Sequence, residues 1–282
     1  MNIQWFPGHM TKARRMMAEN LKLVDAVCEV VDARIPYSSR NPDLDEMTGG
    51  KPRLIILNRV DQADPELTKQ WALKLRDGAA IIETDSQSGR GVSGFPAALR
   101  ILLADRVAHY EAKGQVGRKL RVMVAGVPNV GKSSLINRLA GGKPTKVEDR
   151  PGVTRGSQWV RAGSLEVLDM PGVLWPKFED PAVGECLALT GAVKDDVLDI
   201  EALALRLLER LLADYPQLLS ARYRFDFAEI EGFDSYELLK LIGRKRGMLI
   251  PGGEIDTERA AIMLLDEYRA GTIGRITLEL PM

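Results

Sequence analysis

The chain of 282 residues is short of several things. It has two cysteines, Cys28 and Cys186, with no CxxC pair. That argues against a cysteine zinc site or a disulfide framework and predicts two buried small hydrophobes in a reducing compartment. No apolar run approaches the roughly 18 residues of a membrane helix, and the start has no charged-then-apolar leader pattern, so a cytoplasmic protein with no membrane partner is expected. Internal repeats and low-complexity tracts are missing. Net charge is missing too, since 39 Lys+Arg balance 39 Asp+Glu. With 45% apolar residues, the composition excludes a disordered chain. The length suits one large domain or two ordinary ones. Histidine is scarce as well: His9 and His109 are all there is.

The zero net charge hides a strong polarity. Residues 113–161 hold eleven Lys+Arg against two Asp+Glu, and residues 162–242 hold seven against sixteen. A basic block followed by an acidic one speaks of partners, and the basic block suits phosphate, as a nucleotide, RNA or both. Apolar, β-branched runs at 23–31, 53–58, 79–83 and 121–126 predict buried strands, and 158–162 with 165–169 a hairpin around Gly163. Helical stretches are expected at about 10–22, 65–76, 92–110 and 132–140, the second with Asp64 as cap and Pro65 in its first turn. The alternation implies an α/β fold with a mainly parallel sheet covered on both faces. After about Pro181 the strand signal fades, and helical spacing takes over at 198–212, 234–242 and 257–268. Two domains are expected, an α/β unit over 1–178 and an all-helical unit over 179–282.

Gly126-Val127-Pro128-Asn129-Val130-Gly131-Lys132-Ser133 matches GxxxxGK[ST], follows a predicted strand and opens a predicted helix. Glycines let backbone N–H groups curl toward phosphates, Lys132 supplies a point charge, the Ser133 hydroxyl suits magnesium, and the helix N-terminus favours anions. Asn129, Val130, Gly131 and Ser134 complete the expected nucleotide contacts of this run. Asp169-Met170-Pro171-Gly172 ends another strand, where an Asp can hold magnesium through water and a glycine N–H can meet a γ-phosphate. Asn58-Arg59-Val60-Asp61 ends a third. Guanine presents two adjacent donors to the Asp61 carboxylate, whereas adenine would leave it unpaired, so GTP and GDP are expected over ATP. Asp85-Ser86-Gln87 is placed to bring the Ser86 N–H to the guanine oxygen.

The order is unusual: the 58–61 motif and Ser86 precede the phosphate loop, and 169–172 comes last. With Trp5-Phe6-Pro7-Gly8-His9-Met10, Asp32-Ala33-Arg34-Ile35-Pro36, Ser39-Arg40-Asn41-Pro42 and Leu174-Trp175-Pro176-Lys177, the chain resembles the circularly permuted GTPases, and among them the ribosome biogenesis GTPase A (YlqF-type) family, over nearly its whole length. The resemblance implies a P-loop GTPase domain with permuted motifs plus a C-terminal helical domain that contacts RNA. It implies a cytoplasmic factor acting late in assembly of the large ribosomal subunit, with GTP state gating its binding to the precursor particle. Potassium-stimulated hydrolysis is also implied, with Asn129 helping to hold the ion, and Thr154 as the switch threonine that reaches magnesium.

Many GTPases carry a water-orienting Gln directly after the 169–172 turn. Here Val173 stands there and cannot hydrogen-bond. In a permuted chain the N-terminus continues from that loop, so 5–9 should lie on the γ-phosphate side, and an imidazole suits water near neutral pH. The family pattern likewise gives His9 the catalytic role, beside Lys132. Arg59 replaces the usual Lys of the guanine motif; its stem can cover the base, but a guanidinium is not an ammonium. If the acidic tail touches RNA, Arg244, Lys245 and Arg246 should lead; otherwise they cap a helix. A monomer is expected. Two other readings stay open: a guanine-nucleotide-gated RNA scaffold with negligible turnover, and a GTPase partnered with an RNA-modifying enzyme.

Overall fold

The computed structural model describes residues 8–76, 79–142, 145–146, 158–175 and 178–281, without the side chains of 8–14, 45 and 145–146. The α/β part contains α1 (Gly8–Leu21), β1 (Ala26–Asp32), α2 (Asp43–Met47), β2 (Arg53–Asn58), α3 (Pro65–Leu75), β3 (Ala80–Thr84), α4 (Phe95–Leu102), α5 (Ala104–Ala112), β4 (Leu120–Ala125), α6 (Lys132–Leu139), β5 (Thr145–Lys146), β6 (Gln158–Ala162) and β7 (Leu165–Asp169). The sheet order is β3-β2-β1-β4-β7-β6-β5. The first five strands run parallel, and the β6–β7 hairpin and β5 continue antiparallel. All seven residues of β1 are buried, as a central parallel strand covered on both faces requires.

The pleat divides the core. Ala26, Cys28 and Val30 of β1 join Val122 and Val124 of β4 on one face, under α4 and α6. Val27, Met123 and Leu168 face α1, whose Met16, Met17 and Leu21 cover them. Val31, Ile55 and Leu57 are covered by Trp71, Ala72 and Leu75 of α3. The Asp64 carboxylate caps α3 by accepting from the N–H groups of Glu66 and Leu67, with Pro65 in the first turn as expected. The single helix expected over 92–110 is instead a short turn, α4 and α5. Leu103, at φ −107° and ψ 22°, leaves helical geometry between them and goes into the core. Cys28 and Cys186 are both buried.

Strand order determines where a ligand fits. The chain runs outward from β1 through β2 to β3, then crosses to β1's other side for β4. Loops leaving β1 and β4 therefore part in opposite directions, and a crevice opens at their carboxyl ends, the topological switch point.

The rest is helical: α7 (Pro181–Leu189), α8 (Ile200–Asp214), α9 (Pro216–Tyr223), α10 (Ser235–Lys245) and α11 (Thr257–Arg269). Asp180, Asp199 and Asp256 cap α7, α8 and α11, and Asp234 with Glu237 forms a capping box on α10. Five acidic residues of this region thus serve helix starts. After α11 the chain returns to the α/β part. The Ile276 N–H donates to Gln62 O and the Leu278 N–H to Arg34 O. Trp71 Nε1 donates to Glu279 O at 2.9 Å, and the Glu279 carboxylate accepts from the N–H groups of Tyr37 and Ser38. Among the described residues, no helix is long and apolar enough to cross a membrane.

Candidate functional site

At the carboxyl end of β4 the backbone curls through 126–131 and enters α6 at Lys132. A cavity of about 590 Å³ opens there, lined among others by Asn129, Lys132, Ser133, Asp169 and Gly172. Beside it a narrower recess is lined by Asn58, Asp61, Asp85, Ser86 and Gln87. Arg59, Gly131 and Ser134 line both. The three motifs, scattered over more than 110 residues, thus meet at one edge of the sheet because β2, β4 and β7, which they follow, run parallel and end on the same side.

Asn58 is the hub. It is 2% exposed. Its Nδ2 donates to Val130 O at 2.8 Å, and its Oδ1 accepts from Thr84 Oγ1, the Ser86 N–H and Ser86 Oγ at 3.0, 3.1 and 2.7 Å. One amide therefore pins the phosphate loop to the ends of β2 and β3. It also explains a glycine: a Cβ on Gly131, at φ +102°, would stand 2.3 Å from Asn58 Nδ2. Ser86 lines the recess as expected, but its N–H and hydroxyl are both engaged by Asn58.

Arg59 sits at φ +63°, a left-handed conformation for a residue with a side chain. Its Nη2 donates to Asn129 O at 2.9 Å and its Nη1 to Gln62 Oε1 at 3.1 Å. Its Nε lies 3.6 Å from Asp32 Oδ2. Burial pulls the Arg59 pKa below its ordinary value, with the Asp32 charge acting the other way. Asp61 is half-buried on the same recess, in the field of Arg59 and Arg34.

On the phosphate side, Lys132 is buried and its Nζ donates to Gly126 O at 3.1 Å and Val127 O at 2.7 Å. Burial pushes its ammonium down to about 8, opposed by the Asp169 charge. The Asp169 carboxyl is raised by burial and lowered by Lys132, with burial dominant. The 169–172 turn is fastened to the loop, the Met170 N–H donating to Val124 O and the Val173 N–H to Gly126 O. The fit is close: a Cβ on Gly172 would lie 2.7 Å from Pro128 Cα and 2.9 Å from Lys132 Nζ. Ser133 and Asp169 bring a hydroxyl and a carboxylate to one cavity, hard oxygen donors of the kind magnesium takes.

Asn129, at φ +59°, points its Nδ2 at Gly191 O, 2.6 Å away, just past the end of α7. That contact had no signal in the sequence. Thr154 lies outside the described residues, as do 5–7, and the His9 side chain does too, although the backbone of residue 9 belongs to α1. Lys245 and Arg246, expected to lead toward RNA, are engaged within the helical part. Lys245 donates to Arg224 O and pairs with Glu229, and Arg246 pairs with Glu267 over the Tyr223 ring.

A phosphate loop, a second acidic turn beside its lysine and an Asn-x-x-Asp strand end, brought together in permuted order on a mainly parallel sheet, define a circularly permuted P-loop GTPase. Residues 121–208 match the family model described as 50S ribosome-binding GTPase. The chain is 48% identical to ribosome biogenesis GTPase A of Priestia megaterium, over 100% of this chain and 98% of that one. It is 32% identical to the Thermotoga maritima protein of the same name, over 99% and 95%. It is 34% identical to mouse mitochondrial ribosome-associated GTPase 1, over 98% and 90%. The GDP-bound structure of T. maritima YlqF superposes with a TM-score of 0.67 at 28% identity, covering 95% of this chain and 99% of that one. A GNP-bound structure of the same protein gives 0.63. The chain belongs to the ribosome biogenesis GTPase A family.

Proposed function

We propose that this GTPase acts late in assembly of the large ribosomal subunit, in the cytoplasm and as a monomer, and that its nucleotide state gates its binding to the precursor particle. The observation that carries the gating is the contact of the 169–172 turn with the phosphate lysine, 2.9 Å from where a Gly172 Cβ would stand. A turn so close to the phosphate cavity is placed to respond to a γ-phosphate and to relax after hydrolysis. In this reading Asp61 selects guanine, the Ser86 N–H meets the guanine oxygen, and Asn58, Arg59, Asn129, Val130, Gly131, Lys132, Ser133 and Ser134 bind the rest of GTP. Gly172 meets the γ-phosphate. Magnesium would be held by Ser133, Thr154 and, through water, Asp169, and would neutralise charge on the phosphates. Potassium would be held with help from Asn129 and would stimulate turnover. Residues 1–178 and 179–282 act as GTPase unit and particle-contacting unit.

His9 is the water-orienting group, since Val173 offers no polar atom. The placement of α1 supports this. Its last turn lies beside the start of β1, with the Leu23 N–H on Asn20 O and the Asp25 N–H on Arg121 O. The helix runs back along the sheet for about 21 Å at 1.5 Å per residue. Seven strand residues span about 23 Å, a length that α1 matches.

Phosphate release measured with and without large-subunit particles tests the proposal, with co-sedimentation in a nonhydrolysable GTP analogue against GDP. Faster release with particles and tighter sedimentation with the analogue are expected. Equal, near-zero rates would favour the nucleotide-gated scaffold, and failure to sediment with ribosomal subunits would favour an RNA-modifying partner. His9→Ala should lower hydrolysis at least tenfold and leave GTP affinity within about twofold; a large loss of binding would contradict its role.

A further inference from the structure

The helical part touches the phosphate loop through a closed circuit of polar contacts. From the loop, Asn129 Nδ2 donates to Gly191 O at 2.6 Å. Gly191 follows the end of α7, where backbone carbonyls lack intrahelical donors. Arg269, the last residue of α11, supplies them: its Nε donates to Leu189 O at 3.2 Å and its Nη2 to Ala188 O at 3.0 Å. Asp195 holds that guanidinium in a two-point pair with both distances 2.7 Å. The carbonyl of Arg269 accepts in turn from Arg34 Nη1 at 3.1 Å. Arg34 is 1% exposed and grips Asp32 with Nε and Nη2 at 3.0 and 2.8 Å. Asp32 Oδ2 lies 3.6 Å from Arg59 Nε, and Arg59 Nη2 returns to Asn129 O at 2.9 Å.

We propose that Arg269 is a positioning residue of the nucleotide site, acting through this circuit from the end of α11 upon Asn129 in the phosphate loop, so that nucleotide binding and the seating of α7 and α11 are thermodynamically coupled. Asn129 is held in a left-handed conformation by one contact on each side, Arg59 at its carbonyl and Gly191 at its amide. A nucleotide that orders the loop therefore favours the arrangement in which α7 and α11 are docked. The coupling is reciprocal: releasing the helices weakens nucleotide binding by the factor with which nucleotide tightens them. Arg269 lines no part of the nucleotide cavity, so an effect on nucleotide has to travel through the contacts named above.

The inference rests on GDP occupying the 126–133 loop, and the test separates the two. In the full-length protein, amide hydrogen exchange is followed for residues 186–192 and 266–272 with and without GDP, alongside GDP affinity and the thermal midpoint. GDP is expected to slow exchange in both segments of the wild type. In Arg269→Gln the GDP-dependent slowing at 266–272 is expected to disappear and GDP affinity to fall about five- to tenfold, by a matching factor. Arg269→Lys, which keeps the charge and a donor toward Ala188 and Leu189, is expected to restore part of both. Asp195→Asn, which loosens the guanidinium without touching α11, serves if Arg269→Gln fails to fold, and should weaken both effects together. A lower midpoint for Arg269→Gln with the GDP-dependent slowing unchanged would reduce the circuit to a structural brace and overturn the proposal. Wild-type protein that binds GDP with no change at 266–272 overturns it as well, and wild-type protein that fails to bind GDP overturns the site itself.

Discussion

Replacing Asn58 by alanine removes four hydrogen bonds in one step. Two of the donors, Thr84 Oγ1 and Ser86 Oγ, are hydroxyls that can rotate to other acceptors, so their loss costs little. The other two groups are backbone: the Ser86 N–H and the Val130 carbonyl, both at buried residues. Leaving a buried backbone group unmet costs about 1–3 kcal/mol, so Asn58→Ala should destabilise the nucleotide-free protein by about 2–6 kcal/mol. With a urea slope of about 2 kcal/mol/M, the midpoint should fall by about 1–3 M. Asn58→Asp separates fold from site. It keeps an acceptor for all three donors but turns a carboxylate oxygen toward Val130 O, which releases the phosphate loop. Its stability should fall less than that of Asn58→Ala, while GDP affinity falls as far in both, at least tenfold. Urea unfolding without nucleotide and fluorescence titration with a labelled GDP check this. A loss below about 0.5 kcal/mol for Asn58→Ala, or wild-type affinity in Asn58→Asp, would refute the hub.

Gly172→Ala should cut hydrolysis at least tenfold, because the new Cβ meets backbone at Pro128, which cannot swing aside; wild-type phosphate release would show that the turn moves freely. Asp61→Asn should reduce the preference for GTP over ATP at least tenfold, read by competition binding, and unchanged selectivity would refute the base-reading role. Lys132 predicts two pH effects. Its folded pKa of about 8 lies below its ordinary 10.5, so between those values the unfolded chain holds a proton that the folded chain has released. Lys132 therefore makes stability without nucleotide rise with pH across that window, and contributes no slope below pH 8. GDP, which favours the ammonium, should bind more weakly as pH rises above 8, by up to tenfold per unit; a flat affinity between pH 7 and 9.5 would contradict it.

Part of this was legible beforehand. The strand positions, the Asp64 cap, the phosphate loop and the Asn-x-x-Asp strand end rest on neighbours in sequence, and local periodicity and spacing report such things directly. The break at Leu103 escaped because an apolar residue at helical spacing looks the same whether it continues a helix or leaves one. The tie between the Ser86 N–H and Asn58 had no signal because its partner lies 28 positions away. The Asp caps of the helical part and the Asp234–Glu237 capping box were present in the sequence but read as bulk negative charge.

The sequence by itself determined which chemistry this protein can perform, because a lysine, a hydroxyl, two carboxylates and their glycines are chosen by type and spacing. Only the tertiary structure decided what those groups are fastened to. Asn58 as a clamp on the phosphate loop, the return of 276–279 to the sheet and the path from Arg269 to Asn129 all join residues tens to hundreds of positions apart. Hydrogen bonds between such residues have no period and no spacing, and exist only once parallel strands have brought their ends together.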